Sequence, residues 1–179
     1  MREEKTIHPR RYFGFSIIEV IIAISLINIG LLAISSLVIQ NIQTEEVNRE
    51  YVIASMLAQE GLELVRNIRD NNWRHDLDWK NGNGVNSATD IVQDGDYIIK
   101  RDGTIDNSID NIDELGARLY LYNGFYDHEA VGTATVFYRL ITVVDDDPPD
   151  NITLTSTVRW KDRSKTYNFV ATTKLYNWK

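Results

Sequence analysis

Residues Phe15 to Ile39 read FSIIEVIIAISLINIGLLAISSLVI, a run of 25 residues with one charge, Glu19. At ~1.5 Å rise per residue the run makes ~37 Å of helix, more than a ~30 Å hydrocarbon core requires. A buried core helix of a globular protein is shorter and amphipathic, whereas this one is apolar on every side. The expectation is a transmembrane helix over 15–39, and a question comes with it. A carboxylate is costly in hydrocarbon, yet Glu19 sits close to the tip of the span.

The flanks of the run orient it. Residues 1–14 hold Arg2, Lys5, Arg10 and Arg11 against Glu3 and Glu4, a balance of +2. The whole chain of 179 residues carries −7, so the remainder carries −9. Positive residues stay on the cytoplasmic side, which places 1–14 inside and the residues beyond about 40 outside. The acidic remainder argues against nucleic acid as a partner. Cysteine is absent, so neither a disulfide framework nor a thiolate metal site is available. A secretory signal is the rival reading, with Ala33-Ile34-Ser35 as a small-x-small cleavage site. It would need an apolar core longer than the usual ~7–15 residues.

Helical periodicity continues past Ile39, and no proline falls between Pro9 and Pro148. Val47, Tyr51, Ala54, Ala58, Leu62 and Val65 recur at steps of three and four, beside Ile53, Leu57, Gly61, Leu64 and Ile68. Together they make one broad apolar face. Glu45, Glu46, Arg49, Glu50, Gln59, Glu60 and Glu63 fall opposite. Pairs Glu63/Arg66 and Arg66/Asp70 add small helix support. Asp70-Asn71-Asn72 reads as the stop. The pattern predicts one helix over 15–72, transmembrane to 39 and amphipathic from 40 to 72.

Residues 73–179 are the partner for that face. Turn chemistry marks 80–84, Asp94-Gly95 and Asp102-Gly103, and Tyr97-Ile98-Ile99 reads as a short strand. Alternation in Ala117–Tyr122, Thr135–Val144, Ile152–Trp160 and Thr166–Leu175 reads as antiparallel strands. DDDPPD at 145–150 and Lys161–Ser164 connect the last three. The fold class is α+β, a long helix packed through its second half on an antiparallel sheet.

The segment Gly14-Phe15-Ser16-Ile17-Ile18-Glu19-Val20 then acquires a second meaning. A basic leader ending in Gly, followed by Phe, a small hydroxyl residue, two aliphatics and Glu, resembles the cleavage and methylation motif of type IV pilins and pseudopilins. The stretch AQEGLELVRNIRDNNW at 58–73 resembles minor, pilin-V-like members. The resemblance implies cleavage by prepilin peptidase between Gly14 and Phe15, and methylation of the new Phe15 amine by the same enzyme. It also implies that residues 1–14 are a disposable leader, and that Glu19 pairs with the terminal amine of a neighbouring subunit. A carboxylate tolerated near the interface is the plainer reading of Glu19. Partners would be prepilin peptidase, other pilin or pseudopilin subunits and the lipid membrane. The location would be the cytoplasmic membrane, crossed once, and then a pilus or pseudopilus.

Within the span, Ala23, Ser25, Gly30, Ala33, Ser35 and Ser36 suit close helix contact. Asn28 either bonds across helices or is simply tolerated. No nucleophile elbow, phosphate loop, zinc spacing or dinucleotide turn occurs, so no catalytic residues are assigned and the chain reads as a non-enzyme. No cofactor is expected. Asp145, Asp146, Asp147 and Asp150 are weak calcium candidates, as is the loop holding Asp102, Asp106, Asp110 and Asp113, though neither matches a calcium-loop spacing. From a different class comes the alternative of a single-pass anchored extracytoplasmic binding domain that never polymerises. Such an anchor has no need of Gly14, Phe15 and Glu19 together.

Overall fold

The computed structural model describes residues 14–80, 94–146 and 150–177. The chain divides into two compact units, residues 1–46 and 47–179. Helix α1, Ile17–Arg74, belongs to both. In the first unit every described residue is exposed, from Gly14 to Glu46.

In the second unit the face foreseen from the periodicity is buried: Ala54, Leu57, Ala58, Gly61, Leu62, Val65 and Ile68. The helix does not stop at Asp70-Asn71-Asn72. Asn72 turns inward at 1% exposure, and Trp73 joins the core. The end is a Schellman cap: Leu77 N–H donates to Asn72 O at 3.0 Å and Asp76 N–H to Trp73 O at 3.2 Å. Asp76 takes the left-handed position, φ 55°, that glycine usually holds. Asp70 is held by Arg69 at 2.8 Å, while Arg66 reaches back to Glu63.

The strands are β1 (Gly95–Ile99), β2 (Ile105–Asp106), β3 (Arg118–Tyr122), β4 (Phe125–Asp127), β5 (Thr133–Asp145), β6 (Asn151–Asp162) and β7 (Lys165–Tyr176). All pairings are antiparallel. Strand β5 is the spine. It pairs with β6 along one edge and with β1 and β3 in tandem along the other, and β7 lies outside β6. Gly95, expected in a turn, opens β1 opposite Val143. Strands β2 and β4 went unforeseen. The Tyr122-Asn123-Gly124-Phe125 hairpin was nevertheless written in the sequence. Asn123 (φ 50°) and Gly124 (φ 83°) both take the positive φ of a type I′ turn. The last connection is shorter than 161–164, with pairing from Asp162↔Lys165 and only Arg163 and Ser164 in the loop.

Alternation decides what β6 and β7 bury. Ile152, Leu154, Ser156, Val158 and Trp160 are all buried, and the inward residues of β7 are half-buried to buried. Two clusters join helix to sheet. Ala54, Leu57 and Ala58 meet Leu119, Phe137, Val158 and Trp160. Leu62, Val65 and Ile68 meet Ile141, Val143, Ile152 and Leu154, among others. On the other face of β5, Leu140 packs with Ile98, Ile112 and Ala117 under the 107–117 loop.

Two contacts fix the docking. Trp160 Nε1 donates to Glu50 Oε2 at 2.9 Å, and Tyr51 stands edge-on to the indole at 4.8 Å. Arg139, 1% exposed, donates to Leu57 O at 3.2 Å and Ile99 O at 3.4 Å, with Glu60 3.8 Å away. Gly61 makes room for this. A Cβ there would lie 2.8 Å from Ser156 Oγ and 3.2 Å from Arg139 Cδ.

Candidate processing and assembly site

Three of the sequence-chosen residues sit together at the start of α1. Gly14 and Phe15 lie before the helix in non-helical backbone, both exposed, and nothing lies within 4 Å of where a Gly14 Cβ would be. The Gly14–Phe15 bond therefore lies outside the helix. Ser16 ends this segment. Its carbonyl accepts from Glu19 N–H at 3.1 Å and Val20 N–H at 3.2 Å, the first bonds of the helix.

That places Ser16 at the cap position and Glu19 third within the helix, the S-x-x-E spacing of a capping box. The spacing was legible at residues 16–19 and went unread. An acidic side chain in the first turn faces the positive end of the helix macrodipole, worth ~0.3–1 kcal/mol. The local structure thus offsets part of the cost of Glu19 before any partner arrives.

Among the described residues nothing buries the rest of the span. Phe15 is 82% exposed and Leu32 72%, and α1 is long and apolar enough to cross a membrane. Two hydroxyls in it are satisfied internally. Ser25 Oγ donates to Ile21 O and Ser35 Oγ to Leu31 O, each at 2.8 Å, so neither requires water. Asn28 is exposed.

The acidic turn after β5 is not arranged as a cage of open carboxylates. Lys80, nearly buried over Trp79, places Nζ 2.8 Å from Asp145 Oδ1 and 3.0 Å from Asp150 Oδ1. Burial pulls the Lys80 pKa down, but the two carboxylates outweigh it and leave the pKa above the usual lysine range. Asp146 accepts from Thr153 Oγ1 and Lys174 Nζ, which hold its carboxyl below the usual range. Asn177, then Lys80, does the same for Asp150. Asp147 lies outside the described residues. In the second acidic loop Asp102 and Asp106 cap the amides of Thr104 and Ser108, and Asp113 pairs with Arg159. Among the described residues no three carboxylates or imidazoles converge on a common metal position.

A membrane-length helix with a glutamate in its first turn, and a helix-on-sheet unit, are the parts of a type IV pilin-like build. The Prokaryotic N-terminal methylation motif family matches residues 9–35, a range that brackets Gly14, Phe15 and Glu19. The match covers the N-terminal stretch alone, and with the helix-on-sheet fold it supports a type IV pilin-like subunit. Neither a curated protein nor a solved structure matches the chain.

Proposed function

We propose that the chain is a structural subunit, a minor pilin or pseudopilin of a type IV pilus, type II secretion or competence filament. Prepilin peptidase cuts after Gly14 and methylates the Phe15 amine on the cytoplasmic side. The remainder waits in the membrane as a single span with residues beyond about 40 outside. On assembly, Glu19 pairs with the Phe15 amine of a neighbour and sets its axial register. The chain acts as substrate and building block, and the reading calls for no cofactor.

The observation that carries this is the family match over 9–35, joined to the complete exposure of residues 14–46. An apolar surface of that extent needs lipid first and other helices afterwards. Among packed helices an unpaired carboxylate costs several kcal/mol, and a cation made by cleavage offsets much of it. The turn-rich composition of residues 73–113 favours a minor component over a bulk one. Mass spectrometry of the membrane-purified protein tests the reading. The expected species begins with N-methylated Phe15, and an intact Met1 in a strain with active peptidase overturns it.

A further inference from the structure

A cleft of about 240 Å³ opens between the β1–β2 turn and the β3–β4 hairpin, walled by Arg101, Tyr122, Phe125, Asp127, Glu129 and Val131. Its frame is rigid. The hairpin turns through Asn123 and Gly124 at positive φ, and Asp127 Oδ1 accepts from the Arg101 amide at 3.3 Å and the His128 amide at 2.7 Å. Gly132, φ 105°, packs directly against the Leu121 carbonyl, where a side chain would not fit.

Two features define what the cleft can accept. The Arg101 guanidinium carbon lies over the Phe125 ring, 3.4 Å from its centroid. Among the described residues no carboxylate closes on its fork, so five donors are oriented and unspent. The carboxylates nearby are engaged: Asp127 with the two amides, and Glu129 with Lys100 at 3.8 Å. The surround is apolar and open, with Tyr122 and Phe125 each 53% exposed and Val131 52%. A stacked arginine calls for a planar anion, and the aromatic wall calls for an apolar group beside it.

Size separates a side chain from a metabolite. Small-molecule sites run to about 300–1,000 Å³, and this cleft falls below that range while holding one side chain comfortably. Arg, Tyr and Phe gathered on an exposed surface are also the residues that dominate protein–protein contacts.

We propose that this cleft is a docking pocket for a partner protein. It takes an acidic-apolar segment whose carboxylate closes on the Arg101 fork and whose apolar side chain rests against Tyr122 and Val131. The proposal stands apart from processing at Gly14. Proton–nitrogen spectra of the full chain in detergent micelles, titrated with N-acetyl-Asp-Leu-amide, test it. The expected result is millimolar binding with shifts at residues 101 and 122–131. It weakens by roughly tenfold or more for the Asn-Leu isostere and for Arg101→Gln, with the remaining spectrum unchanged. Equal binding of the Asp and Asn peptides, or full binding by Arg101→Gln, overturns it. Tighter binding of methyl glucuronoside than of the peptide also overturns it, in favour of a sugar acid. The same shifts on concentrating the protein alone overturn it in favour of a second copy.

Discussion

The amide of Glu19 donates to the carbonyl of Ser16 at 3.1 Å, so the carboxylate that the membrane disfavours rides in the first turn of α1. Cap, helix dipole and carboxylate are set within four residues of sequence. Replacing Glu19 should therefore leave membrane insertion intact and disturb the later assembly step. Glu19→Val is expected to reach the membrane fraction at normal levels and to appear in sheared filaments at a small fraction of the wild-type amount. Normal incorporation would remove the register role.

Gly61 lets the helix approach the sheet closely. Gly61→Val drives two methyl groups onto Ser156 Oγ and Arg139, and overpacking of this kind costs ~1–3 kcal/mol. Chemical unfolding of the chain in mild detergent should register the loss. Pairing it with Ser156→Gly should return part of the stability, because the nearest obstructing atom is then gone.

His128 is a buried imidazole, 8% exposed, and neither ring nitrogen meets hydrogen-bond geometry with a described group. Burial, then the Arg139 charge, push its pKa down to about 3, and the backbone of Gly116 and Arg118 opposes this only in part. A depressed folded pKa means that the native state binds the proton less readily than the unfolded chain, whose imidazole titrates near ~6.5. Stability is full above that value and should fall by up to ~1.4 kcal/mol per pH unit as pH drops towards 3. Unfolding midpoints at pH 7, 5.5 and 4 should show that slope, and His128→Phe should flatten it. A slope unchanged in the variant would assign the acid sensitivity elsewhere.

Lys80 shows the opposite sign. Its folded pKa is raised, so its contribution is complete below the unfolded value of ~10.4 and disappears as pH climbs through the folded one. Asp150, held low, contributes above ~3.9 and loses that contribution in acid. Lys80→Met leaves Asp145 and Asp150 facing each other without the cation. Melting temperature should drop most at neutral pH, and the deficit should narrow at both extremes.

Trp160 is fully buried and joins the sheet to the helix through Glu50. Trp160→Ala should cost ~3–5 kcal/mol. Trp160→Phe keeps most of the packing but gives up the Glu50 bond, so it should cost ~1–2 kcal/mol. Equal losses in the two variants would mean that the hydrogen bond, not the ring, dominates.

The parts of this molecule legible from sequence were those with a period. Steps of three and four placed Ala54–Ile68 against the sheet, and steps of two placed Ile152–Trp160 and the inward face of β7. What escaped was governed by single contacts. The helix runs past Asn72 to Arg74, where the Schellman cap closes on Asn72 O and Trp73 O and the Asn72 side chain donates to Trp79 O, and a propensity argument at Asp70-Asn71-Asn72 carries no such information. Arg139 sits at a core position of β5 because Leu57 O and Ile99 O, both remote in sequence, accept its protons. At the candidate site Gly14, Phe15 and Glu19 were readable as a motif. The Ser16 cap was equally readable but required asking where the helix begins. The Arg101 cleft depends on three loops meeting and left no local signal.

The Arg139 bond to Leu57 and the Gly61 seat over Ser156 also have a mechanical side. Both interlock across the helix–sheet contact, so sliding α1 along its own axis by one ~1.5 Å residue step separates donor from acceptor and drives Ile53-to-Ile68 side chains out of their seats together. Axial tension on the helix is then met in shear by many contacts at once, where a peeling force would meet them one at a time. Tension along the second half of α1 is thereby passed to the sheet without peeling the two apart.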